Sequence, residues 1–168
     1  MNIGCVYTVD TYFQVDKPFS SATEIPFGIS IIMTVLEQNG HNVELFVITP
    51  ETDLDSTISN YIRTHKPKLF CYTAVTTQYW QVKRVANHVN KLDNEIFNLL
   101  GGHHASLASD QVIEDGVFDA ICVGEGESAI IDLAENIANI STDNHIIPID
   151  NLWYFDRDNN NNVIKNKS

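Results

Sequence analysis

Five short runs of apolar residues recur along the chain, and segments with the spacing of amphipathic helices separate them. An apolar run of about four to eight residues between turn residues is typical of a strand that is buried on both faces. We therefore predict five strands, at Ile3 to Tyr7, Val43 to Ile48, Leu69 to Thr73, Ile96 to Leu100 and Ala120 to Val123.

Between these strands, apolar side chains recur at intervals of three and four residues, which places them on one face of a helix. The first such segment opens at Pro26 and ends near Gly40. Similar segments follow the second, third and fifth strands, and a shorter one runs from Ser109, as N-cap, to Asp115. The chain therefore alternates strand and helix five times.

This alternation predicts an α/β fold with a parallel sheet, because each right-handed crossover returns the next strand parallel to the last. Five such units favour a flavodoxin-like (Rossmann-like), doubly wound five-stranded sheet with strand order 2-1-3-4-5. Ligands of such folds bind beyond the carboxyl ends of the strands, where the strand order reverses. The loops of interest are therefore residues 8–25, 74–79, 101–109 and 124–127.

The last part of the chain has a different pattern. Leu152, Tyr154 and Val163 flank a polar stretch that includes the asparagine run at 159–162. We expect a C-terminal β-hairpin, with a ligand-binding domain at residues 1–145 and a hairpin or connector at 146–168.

Composition narrows the possible environments and partners. The chain is 43% hydrophobic and has no apolar run near the roughly 20 residues of a membrane helix, so we expect no membrane partner. Its net charge of -12, with ten Lys and Arg, argues against nucleic acid. No export signal precedes the first strand, and Cys5, Cys71 and Cys122 each lie in an apolar run, which favours a reduced, cytoplasmic setting. We assign no metal ligand and no catalytic residue.

Two glycine-bearing loops follow the fourth and fifth strands. The first reads Gly-Gly-His-His-Ala-Ser at residues 101–106, and the second reads Gly-Glu-Gly-Glu at 124–127. Adjacent glycines let a ligand approach the backbone, although a tight turn with positive φ is the more common explanation of a bare Gly-Gly. The two glutamates could simply favour the start of a helix. Because the loops lie at neighbouring strand ends, a shared ligand is the functional alternative.

The combination of motifs resembles a known family. The loop at 101–106, the segment Val112 to Asp119 and the Val-Gly-Glu-Gly-Glu sequence at 123–127 closely resemble the N-terminal cobalamin (vitamin B12)-binding domain of cobalamin-dependent radical S-adenosylmethionine enzymes. Residues 26–28 and 73–77 resemble it as well, and the likeness extends from Ile3 to Ile140.

This resemblance implies a site in which the strand ends hold the corrin and a slot receives its nucleotide tail. The implied cofactor-binding residues are Thr73, Val75, Thr76, Gly101, Gly102, His104, Ala105, Ser106, Gly124, Glu125, Gly126 and Glu127.

The chain departs from the family pattern at several positions. His103 stands where proline is usual, and Thr73 stands where serine is usual. The Asp-x-His-x-x-Gly motif, which supplies an imidazole beneath cobalt in other cobalamin proteins, is missing after Asp10. Many radical enzymes of this family lack that motif too. The resemblance then implies a cobalt ion with no protein imidazole below it.

The cysteine triplet of the radical enzymes is also missing. Their Cys-x-x-x-Cys-x-x-Cys motif holds a 4Fe-4S cluster, and no such spacing occurs in this sequence. We therefore expect the cluster and S-adenosylmethionine to belong to a radical S-adenosylmethionine catalytic domain, in cis or in trans, and this chain to be an excised or truncated domain. The alternatives are a stand-alone corrinoid carrier or sensor, and a flavodoxin-like nucleotide or flavin module that uses the same loops.

Overall fold

The strands of the computed structural model follow the predicted runs closely. The structure describes residues 1–9, 27–143, 148–156 and 162–167. Its strands are β1 (Asn2–Thr8), β2 (Asn42–Ile48), β3 (Leu69–Thr73), β4 (Phe97–Gly101), β5 (Ala120–Cys122), β6 (Leu152–Asp156) and β7 (Asn162–Lys165). Each of the five predicted strands is present, with bounds that agree to within one residue.

At least one helix follows each of the first five strands. These helices are α1 (Phe27–Gln38), α2 (Asn60–His65), α3 (Tyr79–Leu92), α4 (His103–Leu107), α5 (Ser109–Asp115) and α6 (Glu127–Asp143). A π-helical turn (Asp55–Ser59) leads into α2, and a 3-10 turn (Thr76–Gln78) leads into α3. The sequence did not predict α4, which occupies the middle of the loop at 101–109.

The strands form one sheet with order β2-β1-β3-β4-β5-β6-β7. The first five strands are parallel in the predicted order, and the strand order reverses between β1 and β3. The predicted hairpin is also present as β6 and β7, but it extends the sheet: β6 pairs antiparallel with β5, with Tyr154 opposite Ala120 and Leu152 opposite Cys122. This pairing covers the edge of β5, whose backbone groups would otherwise lack partners.

Two apolar cores lie on opposite faces of the sheet because successive side chains of a strand point to opposite faces. In β3, Phe70 and Tyr72 face the core beneath α3, whereas Leu69 and Cys71 face the core beneath α1 and α6. The α1 and α6 core also contains Cys5 and Cys122, and all three cysteines are buried free thiols. The helices are amphipathic, as the sequence predicts, with their apolar stripes against the sheet.

Some sequence predictions fall outside the described residues. These are the greater part of the loop at 8–25, the boundary between residues 145 and 146, and most of the asparagine run at 159–162. Across the ranges that are described, none of the helices has the length and apolar character needed to cross a membrane.

Candidate functional site

A cavity of about 430 Å³ opens at the carboxyl ends of β3, β4 and β5. One wall is the sheet, and the other is formed by α1 and α6. The interior is lined by Gly28, Ile29 and Ile32 of α1, Cys71, Tyr72 and Thr73 of β3, Leu99 and Gly101 of β4, Cys122 of β5, Ala129 and Ile130 of α6, and Leu152 of β6. The cavity therefore lies at the strand ends, where doubly wound folds bind their ligands.

The interior of the cavity is apolar and carries no thiolate at neutral pH. Burial raises the pKa of Cys122 to about 11, and the nearby carboxylates of Glu127 and Glu125 act in the same direction. A hydrogen bond with Cys5, together with burial, raises the pKa of Cys71. Because the thiolate is the nucleophilic and metal-binding form of cysteine, these thiols act here as small apolar groups. The described residues contain no cluster of His, Cys, Asp and Glu able to hold a metal ion.

The rim of the cavity is more polar and is built from both glycine loops. It consists of Gly102, His103, Ser106 and Leu107 from the loop and helix after β4, and of Gly124, Glu125, Gly126 and Glu127 after β5. The N–H of Gly124 donates to the hydroxyl of Ser106 over 3.4 Å, which ties the two loops together. The sequence predicted that these loops lie side by side, and this is their arrangement in the structure.

Gly102 brings the loop after β4 against the end of β3. Its backbone has φ 84° and ψ −177°, a conformation that is essentially restricted to glycine. The next residue but one, His104, donates its backbone N–H to the carbonyl of Ala74 over 3.0 Å. The glycine thus has the tight-turn role considered from the sequence, and it also keeps the rim free of a side chain.

The two loop histidines point in different directions. His103 is exposed at the cavity rim, whereas His104 is 1% exposed and packs on the ring of Tyr79, with ring centroids 4.1 Å apart. Nδ1 of His104 lies 3.3 Å from the hydroxyl oxygen of Thr76. Burial lowers the pKa of His104, although the carboxylate of Asp115 partly opposes this shift.

Eight of the twelve predicted cofactor residues line this cavity: Thr73, Gly101, Gly102, Ser106, Gly124, Glu125, Gly126 and Glu127. The other four lie outside its lining. Val75 and Thr76 are exposed, and Ala105 is buried with His104 in the core beneath α3. His104 and Ala105 therefore face the core beneath α3 and not the cavity.

Sequence reasoning missed several residues that form the cavity. His103 was not among the predicted cofactor-binding residues, yet it lies at the rim. Ile29, Ile32 and Ile130 were assigned to the apolar faces of helices, and an apolar cavity wall has the same periodicity as a core face. Leu152 could not be found from sequence because the pairing of β6 with β5 was unknown.

Comparison with known proteins identifies the family. Residues 21–134, more than half of the chain, match the B12 binding domain. The chain is 27% identical over 110 residues to the anaerobic magnesium-protoporphyrin IX monomethyl ester cyclase of Rubrivivax gelatinosus and 25% identical over 116 residues to the hopanoid C-3 methylase of Methylococcus capsulatus. These alignments cover 64% and 67% of this chain but only 20% and 22% of those proteins.

Solved structures share the fold. The radical S-adenosylmethionine methyltransferase TsrM from Kitasatospora setae superposes with a TM-score of 0.73 at 16% identity, covering 99% of this chain and 30% of that protein. The cobalamin-dependent radical enzyme OxsB with aqua-cobalamin and S-adenosylmethionine bound gives 0.70 at 16% identity, over 99% and 22%. A cobalamin-binding protein from Desulfitobacterium hafniense gives 0.55 at 14% identity, over 80% and 58%.

The chain spans about a fifth of the length of the two curated relatives that it matches. The glycine loops, the cavity that they border and the family match agree with one another. This chain belongs to the B12 binding domain family, and its cofactor is cobalamin.

Proposed function

We propose that this chain is the cobalamin-binding module of a radical S-adenosylmethionine enzyme, and that its cavity receives the nucleotide tail of the cofactor while the rim contacts the corrin. The observation that carries the proposal is the apolar cavity of about 430 Å³ whose rim is formed by the two glycine loops. Ligand pockets commonly have volumes of about 300 to 1,000 Å³ and apolar walls with a few polar groups at defined positions.

The residues of the cavity fit such a tail chemically. A flat aromatic base suits an interior of Ile29, Ile130 and Leu99, while the ribose and phosphate of the tail suit the polar rim. Gly101 leaves space on the sheet side, because a β carbon there would meet nothing closer than 3.8 Å. Thr73 and Ser106 offer hydroxyl groups beside this space.

The contribution of this chain is to bind and orient. Bound cobalamin supplies a cobalt centre that carries a methyl group or takes part in a radical rearrangement. The residues of the chain keep the tail out of water and hold the corrin at the rim. The interior of the cavity is apolar and its thiols stay protonated, so we assign the chemical step to a catalytic domain.

That partner domain would hold the 4Fe-4S cluster and S-adenosylmethionine, in cis or in trans. The support comes from the two radical enzymes whose folds cover 99% of this chain. Three buried free thiols also fit a cytoplasmic setting, where cysteines stay reduced. The net charge of -12 still argues against a nucleic-acid partner.

A second candidate is a stand-alone corrinoid carrier or sensor. The observation that favours it is the likeness to the cobalamin-binding protein of Desulfitobacterium hafniense, of which this chain covers 58%. The full gene separates the two candidates, because a Cys-x-x-x-Cys-x-x-Cys motif in the same reading frame supports the radical enzyme. Its absence from both the gene and its neighbours would favour the carrier.

The tail-in-cavity proposal is tested by titrating the purified chain with cobalamin and with cobinamide, which lacks the nucleotide tail. We expect cobalamin to bind at least about tenfold more tightly, since the tail buries apolar surface in the cavity. Flavin mononucleotide serves as the comparison ligand for the flavin-module alternative. Equal affinities for cobalamin and cobinamide would contradict the tail slot, and preferential flavin binding would contradict the proposed function itself.

A further inference from the structure

Asn151, the residue before β6, contacts the loop after β5 through both its backbone and its side chain. We propose that Asn151 is a positioning residue that holds the loop at 123–127 in its binding conformation, so that the C-terminal hairpin is a working part of the cobalamin site. The inference rests on the proposed function. It also goes beyond the family match, which covers residues 21–134 and ends before the hairpin.

The backbone of Asn151 links the segment after β5 to the segment after β7. Its carbonyl accepts the N–H of Val123 over 2.8 Å, and its N–H donates to the carbonyl of Lys167 over 2.8 Å. Its φ of 67° lies in the left-handed region, which asparagine tolerates better than most residues. This conformation allows both bonds to form at the point where the chain turns into β6.

The side chain of Asn151 reaches the same loop two residues further on. Its Nδ2 donates to the carbonyl of Glu125 over 2.8 Å. The bonds to Val123 and Glu125 therefore bracket Gly124, which has φ 98° and would otherwise be the natural pivot of the loop. On its other side, Gly124 is tied to the hydroxyl of Ser106.

The Glu125 carbonyl depends mainly on this amide. The thiol of Cys122 also points to that oxygen, but over 3.8 Å, and a thiol is a weak donor. The bond is exposed, so loss of the amide would leave the carbonyl to water and to this weak contact, neither of which fixes the positions of the rim residues Glu125 and Gly126. The neighbouring Leu152 lines the cavity interior, so two consecutive hairpin residues serve the site, one at the rim and one inside.

Two substitutions remove the amide while tolerating the left-handed backbone. Asn151→Asp keeps the shape but sets a carboxylate oxygen against the Glu125 carbonyl, and Asn151→Gly removes the side chain. The matched control is Asn166→Ala. The Nδ2 of Asn166 donates to the carbonyl of Leu152 over 2.9 Å in the same hairpin, and its side chain makes no hydrogen bond to the rim among the described residues.

The experiment uses the full chain and three readouts: cobalamin affinity, thermal unfolding, and amide hydrogen exchange of the segment 123–127 without cobalamin. We expect Asn151→Asp and Asn151→Gly to weaken cobalamin binding about three- to tenfold, the worth of one hydrogen bond. They should also speed exchange in that segment. Asn166→Ala should change neither the cobalamin affinity nor the exchange of segment 123–127. This holds even if Asn166→Ala lowers the unfolding temperature as much as the Asn151 variants do.

Unchanged affinity in both Asn151 variants would overturn the inference, as would an equal loss of affinity in Asn166→Ala. The exchange readout needs no ligand. If the parent chain takes up no cobalamin, the proposed function fails, and the exchange comparison then decides whether Asn151 holds the loop. Parent-like exchange in the Asn151 variants would count against that role.

Discussion

Gly102 lies so close to Thr73 that a β carbon on Gly102 would come within 2.6 Å of the Thr73 hydroxyl oxygen and 3.0 Å of the backbone nitrogen of Ala74. The neighbouring Gly101 is the register partner of Thr73, yet a β carbon there would make only ordinary contacts. The two adjacent glycines therefore have different structural roles. Gly102 permits a backbone conformation and a close approach, while Gly101 leaves room in the cavity.

This difference predicts that alanine destabilises the chain at Gly102 but not at Gly101. Gly102→Ala should lower the free energy of unfolding by about 1 to 3 kcal/mol, because alanine is strained in that backbone conformation. The contact with Thr73 adds to this cost. Gly101→Ala should leave the free energy of unfolding nearly unchanged. Urea unfolding of both variants checks the prediction, and equal stabilities would show that Gly102 is not conformationally required.

A buried hydrogen bond between β3 and β4 predicts a second stability effect. The hydroxyl of Tyr72 donates to Oδ1 of Asn98 over 2.7 Å, and Asn98 is fully buried. Tyr72→Phe should cost about 1 to 3 kcal/mol, because it leaves the Asn98 carbonyl without this donor.

The matched control is Tyr154→Phe. The hydroxyl of Tyr154 is buried and finds no hydrogen-bond partner in the described part of the chain, so its removal should be neutral or stabilising. Chemical denaturation compares the two variants directly. A larger loss in Tyr154→Phe than in Tyr72→Phe would reverse the expected order and contradict the assignment.

The buried His104 predicts a loss of stability in mild acid. Burial holds its pKa below the ordinary value of 6.5, so the folded chain binds fewer protons than the unfolded chain as the pH falls through that value. The stability contributed by neutral His104 is therefore present above about pH 6.5 and declines below it.

His104→Gln should reduce the difference in unfolding free energy between pH 7.5 and pH 5.5. His41, whose pKa is also lowered by burial, makes a similar contribution that the variant leaves in place. His65→Gln, an exposed change, is the control. A pH dependence in His104→Gln identical to that of the parent would exclude His104 as its source.

The missing Asp-x-His-x-x-Gly motif predicts that no protein imidazole binds cobalt. Electron paramagnetic resonance of the cob(II)alamin form, with nitrogen-15-labelled protein, distinguishes a protein nitrogen from the base of the cofactor. We expect spectra that do not change with labelling. His103 is the histidine at the cavity rim, so His103→Ala is the natural comparison. A label-dependent splitting that disappears in His103→Ala would contradict the prediction and identify the ligand.

The sequence predicted the five strands and the meeting of the two glycine loops well, since apolar periodicity reports burial and parallel strands end at one edge. It could not tell which of His103 and His104 faces the cavity. Successive helical residues point about 100° apart, and the rotation of α4 depends on the backbone of Gly102. The pairing of β6 with β5 was equally hidden, because Leu152 and Asn151 reach the site only through long-range contacts.

The most direct test of the account is the cobalamin affinity of Gly28→Val, measured by absorbance titration. A β carbon on Gly28 would meet no protein atom within 4 Å, and the residue lines the cavity from α1. Valine also favours a helix more than glycine does, so the fold should keep its stability. Ser30→Val, which places the same side chain at an exposed position of α1, is the control.

We predict that Gly28→Val weakens cobalamin binding about tenfold or more, since overpacking a filled site costs about 1 to 3 kcal/mol. Parent-like affinity in Gly28→Val would contradict the claim that this cavity holds the cofactor.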